Sequence, residues 1–167
     1  MPLRFTIPLQ EAMTPELSRK IARAYQEFPE LMGPQILVGI TKRRGLDGYA
    51  VRQDFCIRLY VTRRTAPSFY TIGHEFTHLL QKPGLGTVPN GEVQCDIWTL
   101  ARSELFLDEV PTYLDVGART KENWKHDAGA VGDLCRRAIE VRRTTRNYIV
   151  WLNGMFERRY GTPSDLT

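Results

Sequence analysis

The chain has 167 residues, of which 42% are hydrophobic and 25% are charged, and its formal net charge is +4. This composition excludes a disordered chain, and the length predicts one domain over residues 1–167. The sequence contains no stretch of the roughly 18 apolar residues that a membrane span requires. The three cysteines form no CxxC pair and the first residues carry no signal-peptide pattern, so we expect a cytoplasmic protein without a disulfide framework or a membrane partner.

The first third of the chain predicts a helix and the start of a small sheet. Thr14 followed by Pro15 is typical of a helix N-terminus, and apolar residues then recur at helical spacing as far as Phe28. A short β-branched run at 35–40 predicts a buried strand. After two turn glycines, 49–52 is expected to continue a hairpin.

The middle of the chain predicts a strand followed by two helices. Apolar and polar residues alternate over 55–62, which is the pattern of a strand with one buried face. An apolar stripe at helical spacing begins after Pro67 and runs to Gln81, where a segment rich in proline and glycine ends it. A second helix is expected to open near Asn90 and to run toward Asp108.

The last third of the chain predicts one long helix. Apolar positions recur from 131 to 155 at alternating steps of three and four, with Thr145 on the same stripe, which is typical of a helix packed along another helix. Together the elements predict the α+β class, with a short mixed sheet followed by packed helices.

One segment carries the chemistry: His74-Glu75-Phe76-Thr77-His78, an HExxH motif. Two histidines four residues apart lie on one face of a helix, so both imidazoles can reach one metal ion at about 2.0–2.1 Å. Glu75 projects beside that face, where it can deprotonate a water molecule activated by the metal. The motif follows an alternating strand and lies in a helical stretch, which favours a metal site over two ordinary helix histidines.

A catalytic zinc site needs a third protein ligand. The next helix offers Glu92 and Asp96, four apart on one helical face, so that one carboxylate can bind the ion while the other accepts the N–H of a ligating imidazole. Cys95 would be a strong thiolate ligand, but it projects about a quarter-turn away, and we expect it to be a buried packing residue. The residues themselves leave the choice between the two carboxylates open.

The HExxH motif followed by Glu92-x-x-x-Asp96 resembles the two-helix signature of the gluzincins, the zinc metallopeptidases that are similar to thermolysin. The resemblance covers roughly residues 55–105 and implies a minimal zincin-like domain with an edge strand before the active-site helix. It implies Zn²⁺ held by His74, His78 and Glu92, with Asp96 orienting a ligating imidazole.

The implied reaction is hydrolysis of a peptide bond in a peptide or protein substrate. Zinc polarises the scissile carbonyl, while Glu75 takes the proton of the attacking water and delivers it to the leaving amine. The strand at 55–62 resembles the zincin edge strand, which aligns an extended peptide antiparallel to itself. His126 or Tyr113 could donate a hydrogen bond to the tetrahedral oxygen, although each also fits an ordinary surface or packing role.

Other functions of an HExxH helix remain open alternatives. Peptide deformylases resemble this chain at the helix, but they take their third ligand from a cysteine in an upstream EGCLS-type segment, and Cys56 has no such surroundings. In a different class, zinc would tie helices together in a non-catalytic interaction module whose last helix mediates dimerisation. Glu75 and the lack of an evident fourth ligand argue against that module.

All of the net charge lies in residues 136–167, which contain seven basic and three acidic residues. Such a run is often only the solvated face of a helix. As in DNA-associated proteases resembling the SprT-type family, its arginines would also supply phosphate contacts: Arg136, Arg137, Arg143 and Arg146. The basic run thus leaves two alternatives open, a solvated helix face and a surface that binds nucleic acid.

Overall fold

The computed structural model describes residues 3–43, 45–62 and 65–161, and the chain forms two compact units, residues 1–90 and 91–167. The described residues contain a four-stranded mixed sheet and seven α-helices, which confirms the predicted α+β class. None of these helices combines the length and the apolar character that crossing a membrane would require.

The sheet lies in the first unit and consists of β1 (Leu3–Phe5), β2 (Ile36–Thr41), β3 (Gly48–Val51) and β4 (Cys56–Tyr60). The spatial order of the strands is β1-β2-β4-β3. β2 pairs in parallel with both β1 and β4, whereas β3 pairs antiparallel to β4. The sheet is therefore mixed, and β1 and β3 form its two edges.

The prediction that the strand at 55–62 is an edge strand is wrong. This segment forms β4 in the interior of the sheet, and the antiparallel edge before the site helix is β3. Burial explains the difference: Ile57 and Leu59 are fully buried, whereas Tyr49 and Val51 of β3 are exposed. Alternation along a strand reports which face is buried and contains no information about which strands lie beside it.

Three helices belong to the first unit: α1 (Ile7–Ala12), α2 (Pro15–Gln26) and α3 (Phe69–Leu80). The sequence predicted α2 and α3 but not α1. Thr14 and Ser68 are the N-cap residues of the two predicted helices, and each side chain accepts a backbone N–H from the first turn, at 3.0 and 2.9 Å. These caps explain why both helices begin where the sequence predicts.

The second unit contains α4 (Glu92–Arg102), α5 (Ala118–Glu122), α6 (Trp124–Val141) and α7 (Tyr148–Tyr160). α4 opens two residues after Asn90, as predicted, and α6 packs against both α4 and α7. The apolar sides of α6 and α7 therefore face helices of their own unit, which is the ordinary core-packing use of a heptad-like stripe.

The prediction of one continuous helix over 131–155 is wrong, because α6 ends at Val141 and α7 begins at Tyr148. The intervening segment is polar and exposed, and Thr145 fills the stripe position without an apolar side chain to bury. The hydroxyl of Thr144 donates to the carbonyl of Val141 at 3.1 Å, in competition with the backbone bonds of a continuing helix.

All three cysteines are buried free thiols. Cys56 lies on β4 in the first unit, and Cys95 and Cys135 lie on α4 and α6 in the second. Burial raises the pKa of the Cys135 thiol well above its usual range, and the nearby charge of Asp96 raises it further. The Cys135 side chain therefore remains a neutral packing residue at physiological pH.

Candidate metal centre

The HExxH motif lies in the last two-thirds of α3, where His74 and His78 occupy one face. Their ring centroids are 4.7 Å apart and the rings are nearly perpendicular, at 83°. His74 is 6% exposed and its ring also contacts Tyr70, at 5.8 Å between centroids. The helical spacing thus brings two imidazoles together at a mostly buried position, as the motif predicts.

The opposite face of α3 is anchored in the core of the first unit. The ring of Phe76 is fully buried and lies 5.6 Å from the ring of Tyr25 and 5.4 Å from that of Phe28. α3 also packs against β3 and β4. Because Phe76 is two residues from each histidine, this packing fixes the rotation of the helix that presents the two imidazoles.

Glu75 is 4% exposed, and its carboxylate lies close to the edge strand. A Cβ atom placed on Gly48 would come within 2.8 Å of the Oε1 atom of Glu75 and within 2.9 Å of its Cγ. Only glycine allows β3 to approach the carboxylate this closely. The sequence predicted the role of Glu75 but gave no signal for its contact with Gly48.

His78 is held by a polar chain that the sequence analysis did not predict. Its Nδ1 atom lies 2.8 Å from Oε1 of Gln81, and Nε2 of the same amide donates to the carbonyl of Pro89 at 2.7 Å. Gln81 is 4% exposed. In the sequence it marks only the end of the helix, since a glutamine three residues after a histidine is no recognised signature.

α4 carries the predicted candidates for the third ligand. Glu92 is its first residue and is exposed, whereas Cys95 and Asp96 are fully buried. The Oδ2 atom of Asp96 accepts the backbone N–H groups of Tyr113 and Leu114, each at 2.7 Å. This carboxylate therefore fixes the loop that follows α4, a function that the ExxxD pattern did not predict.

His74 and His78 belong to a group of side chains that could hold a metal ion. Both lie in the first unit and offer ring nitrogens on the same face of α3. In the second unit Cys95 is fully buried, which confirms the burial predicted from its helical phase.

The two predicted oxyanion donors both lie in the second unit. The side chain of Tyr113 is in the loop after α4 and is 47% exposed. His126 is exposed in the first turn of α6 and lines an open cavity of about 420 Å³ together with two arginines. The two arginines are Arg119 and Arg159, and the other lining residues are Asn123, Asp127 and Tyr160.

Comparison with models of protein families, with curated proteins and with solved structures finds no match in any of the three. The resemblance to gluzincins therefore depends on the motif residues of the sequence alone. What the described residues of the first unit establish is a pair of imidazoles that could hold a metal ion, next to a buried glutamate on the same packed helix.

Proposed function

We propose that this protein is a zinc-dependent metallopeptidase in which His74 and His78 bind the metal and Glu75 is the general base. The observation that carries the proposal is the pair of imidazoles 4.7 Å apart on one helical face, with the adjacent glutamate 4% exposed. Glutamate is among the residue types least often buried in proteins, so its burial beside two imidazoles supports a role in the site. Imidazole nitrogen is one of the ordinary protein ligands of zinc.

The chemistry divides between the ion and the protein. Zinc bound there would supply Lewis acidity, which polarises the scissile carbonyl and makes water acidic near neutral pH. Glu75 accepts the proton of the attacking water and then delivers it to the nitrogen of the departing amine. Because α3 is packed on its opposite face by Phe76, the carboxylate is held in position rather than recruited by substrate.

The edge strand β3 supports a peptide as the substrate. It is antiparallel to β4, it forms one end of the sheet, and its Gly48 lies against Glu75. An extended peptide can add to such an edge through main-chain hydrogen bonds. A peptide aligned on β3 would pass close to the general base, which the interior strand β4 could not achieve.

The decisive experiment compares the wild type with Glu75→Gln in a peptide-library cleavage assay, with the zinc content of both proteins measured. We expect loss of cleavage with zinc retained, because glutamine has the shape of glutamate but cannot take a proton. Glu16→Gln, an exposed change on α2, is the matched control and should cleave normally. If both proteins bind zinc stoichiometrically and neither cleaves any peptide, the proposal fails and the non-catalytic metal-stabilised module is favoured.

The peptide library should contain N-formylated peptides. The peptide deformylases resemble this chain at the HExxH helix. Release of formate without internal cleavage would identify a deformylase and contradict the peptidase proposal.

The two candidate oxyanion donors are tested in the same assay. If Tyr113 donates to the tetrahedral oxygen, Tyr113→Phe should lower kcat by about 10²-fold while leaving KM nearly unchanged. His126→Ala tests the second donor in the same way. A change of less than about twofold in kcat would exclude the tested residue from this role.

A second candidate function, association with nucleic acid, is supported by the arginines of the second unit. Arg137 lies over the ring of Trp151 and Arg142 over that of Trp98, each at 5.7 Å from the ring centroid. A guanidinium stacked on an aromatic face keeps its edge available for a phosphate. Arg143 and Arg146 are exposed, and within the described part of the chain these two, Arg137 and Arg142 have no ion-pair partner. Arg136, which was predicted to contact phosphate, instead pairs with Asp133.

Binding to duplex DNA at increasing salt tests this second candidate. Arg143→Gln combined with Arg146→Gln should weaken binding at low salt and reduce the salt dependence, because two phosphate contacts are lost. Arg19→Gln combined with Arg23→Gln on α2 is the control with the same change of charge, and it should bind as the wild type does. Binding that does not change with salt, or no binding at low salt, would exclude nucleic acid as a partner.

A further inference from the structure

The side-chain amide of Gln81 has a defined orientation in the first unit. Pro89 offers only a carbonyl oxygen, which can accept but cannot donate a hydrogen bond. The atom of Gln81 that lies 2.7 Å from it must therefore be the NH₂ group. This contact removes the usual ambiguity between the oxygen and the nitrogen of a glutamine amide.

The orientation of Gln81 determines the protonation of the histidine next to it. With its NH₂ group on Pro89, the amide presents its oxygen to Nδ1 of His78 at 2.8 Å. An amide oxygen has no proton to donate. A hydrogen bond at this distance therefore requires that Nδ1 of His78 carries the proton.

We infer that Gln81 is a positioning residue, which holds the His78 imidazole in the tautomer protonated at Nδ1 and so directs the lone pair of Nε2 toward the metal. This inference rests on the proposed metal site, where a ligating imidazole must be neutral and must offer one unprotonated nitrogen. The orientation of the amide itself follows from its contact with Pro89 in the same unit.

The backbone around Gln81 explains why its side chain can perform this function. Gln81 is the C-cap residue of α3, and its own N–H donates to the carbonyl of His78 at 3.1 Å, which places the two side chains one turn apart. The loop that contains Pro89 begins at Lys82, whose Nζ donates to the carbonyl of Gln53 at 2.8 Å and lies 4.0 Å from the centre of the Phe55 ring. The acceptor for the amide thus belongs to a loop whose first residue is held by Gln53 and Phe55 of the same unit.

Gln81→Leu is the variant that removes the acceptor with little change in volume. In the metal-free protein, two-dimensional ¹⁵N–¹H spectra of the histidine side chains should show His78 protonated at Nδ1 in the wild type. In Gln81→Leu the same ring should shift toward the Nε2-protonated tautomer. The zinc dissociation constant, measured by competition with a chromophoric chelator, should rise about 10- to 100-fold.

Two further variants separate positioning from a general effect on the fold. Gln81→Glu keeps an acceptor for Nδ1 but loses the donor to Pro89, so it should retain the Nδ1-protonated tautomer even if its thermal stability falls. Gln35→Leu, a surface change in the same unit, should leave both the tautomer and the zinc affinity unchanged. A merely structural role for Gln81 would alter stability without altering the His78 tautomer.

The spectrum of the metal-free wild type is sufficient to test the inference, even if no variant folds. Protonation of His78 at Nε2 in that spectrum would overturn it. An unchanged tautomer in folded Gln81→Leu, with zinc affinity within about twofold of the wild type, would do so as well. Neither readout depends on cleavage. A protein that shows the expected tautomer and zinc affinities but no peptidase activity would refute the proposed function and leave this inference intact.

Discussion

In the first unit, Gly48 and Glu75 are so close that a single methyl group could not be placed between them: a Cβ on residue 48 would lie 2.8 Å from Oε1 of the glutamate. The contact joins the edge strand to the proposed general base. The free space at this glycine is thus occupied by the carboxylate, and any side chain there must displace it.

Gly48→Ala should therefore reduce peptidase activity without removing the metal. The added methyl group pushes the Glu75 carboxylate or β3 by a few tenths of an ångström or more, and displacements of about 1 Å at a reacting group can cost about 10²-fold in rate. We expect kcat/KM to fall about 10- to 100-fold with stoichiometric zinc. Gly33→Ala is the control, because a Cβ there meets nothing within 4 Å. Full activity of Gly48→Ala would show that the carboxylate position is not critical.

The identity of the third ligand can be decided by two substitutions on α4. If Cys95 binds the metal, Cys95→Ser should weaken zinc binding by more than about 100-fold. Removing a residue that is only hydrogen-bonded to a metal ligand weakens binding by at most about that factor. It should also abolish the sulfur-to-cobalt charge-transfer band of the cobalt-substituted protein. Glu92→Gln should then change zinc affinity by less than about threefold, since the carboxylate is exposed. The opposite result would restore Glu92 as the ligand that the gluzincin resemblance implies. Circular dichroism checks that both variants fold.

Asp96→Ala should destabilise the protein strongly. Its buried Oδ2 accepts two backbone N–H groups, from Tyr113 and Leu114, and truncation leaves both donors without this acceptor. Hydrogen bonds to a charged group contribute about 1.5–3 kcal/mol each, so we expect the free energy of unfolding to fall by about 3 kcal/mol. Chemical denaturation measures it. Asp133→Ala removes an exposed ion pair with Arg136 and should cost less than about 1 kcal/mol. Equal losses of unfolding free energy for the two variants would contradict the conclusion that Asp96 fixes the loop after α4.

We expect the protein to lose stability at high pH because Tyr148 is buried. Burial raises the pKa of its phenol to about 12, with the charge of Arg142 opposing the rise and that of Cys135 adding to it. Between about pH 10 and 12 the phenol of Tyr148 therefore stays protonated in the folded state, whereas in the unfolded state, where its pKa is near 10, it is ionised. Stability from this group is complete below pH 10 and is lost as the pH rises toward 12, by about 2 kcal/mol.

The variant Tyr148→Phe isolates this contribution. Within the described residues the hydroxyl of Tyr148 is buried without a hydrogen-bond partner, so its removal should change stability little at pH 7. Denaturation at a series of pH values should show a shallower decline for the variant than for the wild type above pH 10. Parallel curves for the two proteins would mean that other buried groups cause the alkaline loss.

The sequence predicted the parts of the site that depend on local spacing. Ser68 caps α3, and a helical repeat places His74 and His78 on one face whatever surrounds them. Parts that depend on distant contacts were not predictable. The loop from Lys82 to Pro89 places the carbonyl of Pro89 next to the side chain of Gln81. No periodic pattern in the sequence predicts this contact.

The wrong predictions have the same physical origin. The alternation at 55–62 identified β4, but whether a strand lies at an edge depends on which strands pair with it. The stripe over 131–155 identified the apolar faces of two helices, but a chain can fold back between them when the connecting residues are polar. By contrast, helical phase was sufficient for Cys95, whose predicted burial is confirmed.

The buried cysteines allow local unfolding to be measured separately in each of the two units. Cys56 is buried on a strand of the first unit and Cys135 on a helix of the second, so a thiol-specific reagent can reach either sulfur only when its own unit opens. Pulse alkylation followed by peptide mass spectrometry would therefore give an opening rate for each unit separately, without any introduced label. Equal rates would mean that the two units unfold as one cooperative body, and unequal rates would show which of them opens first.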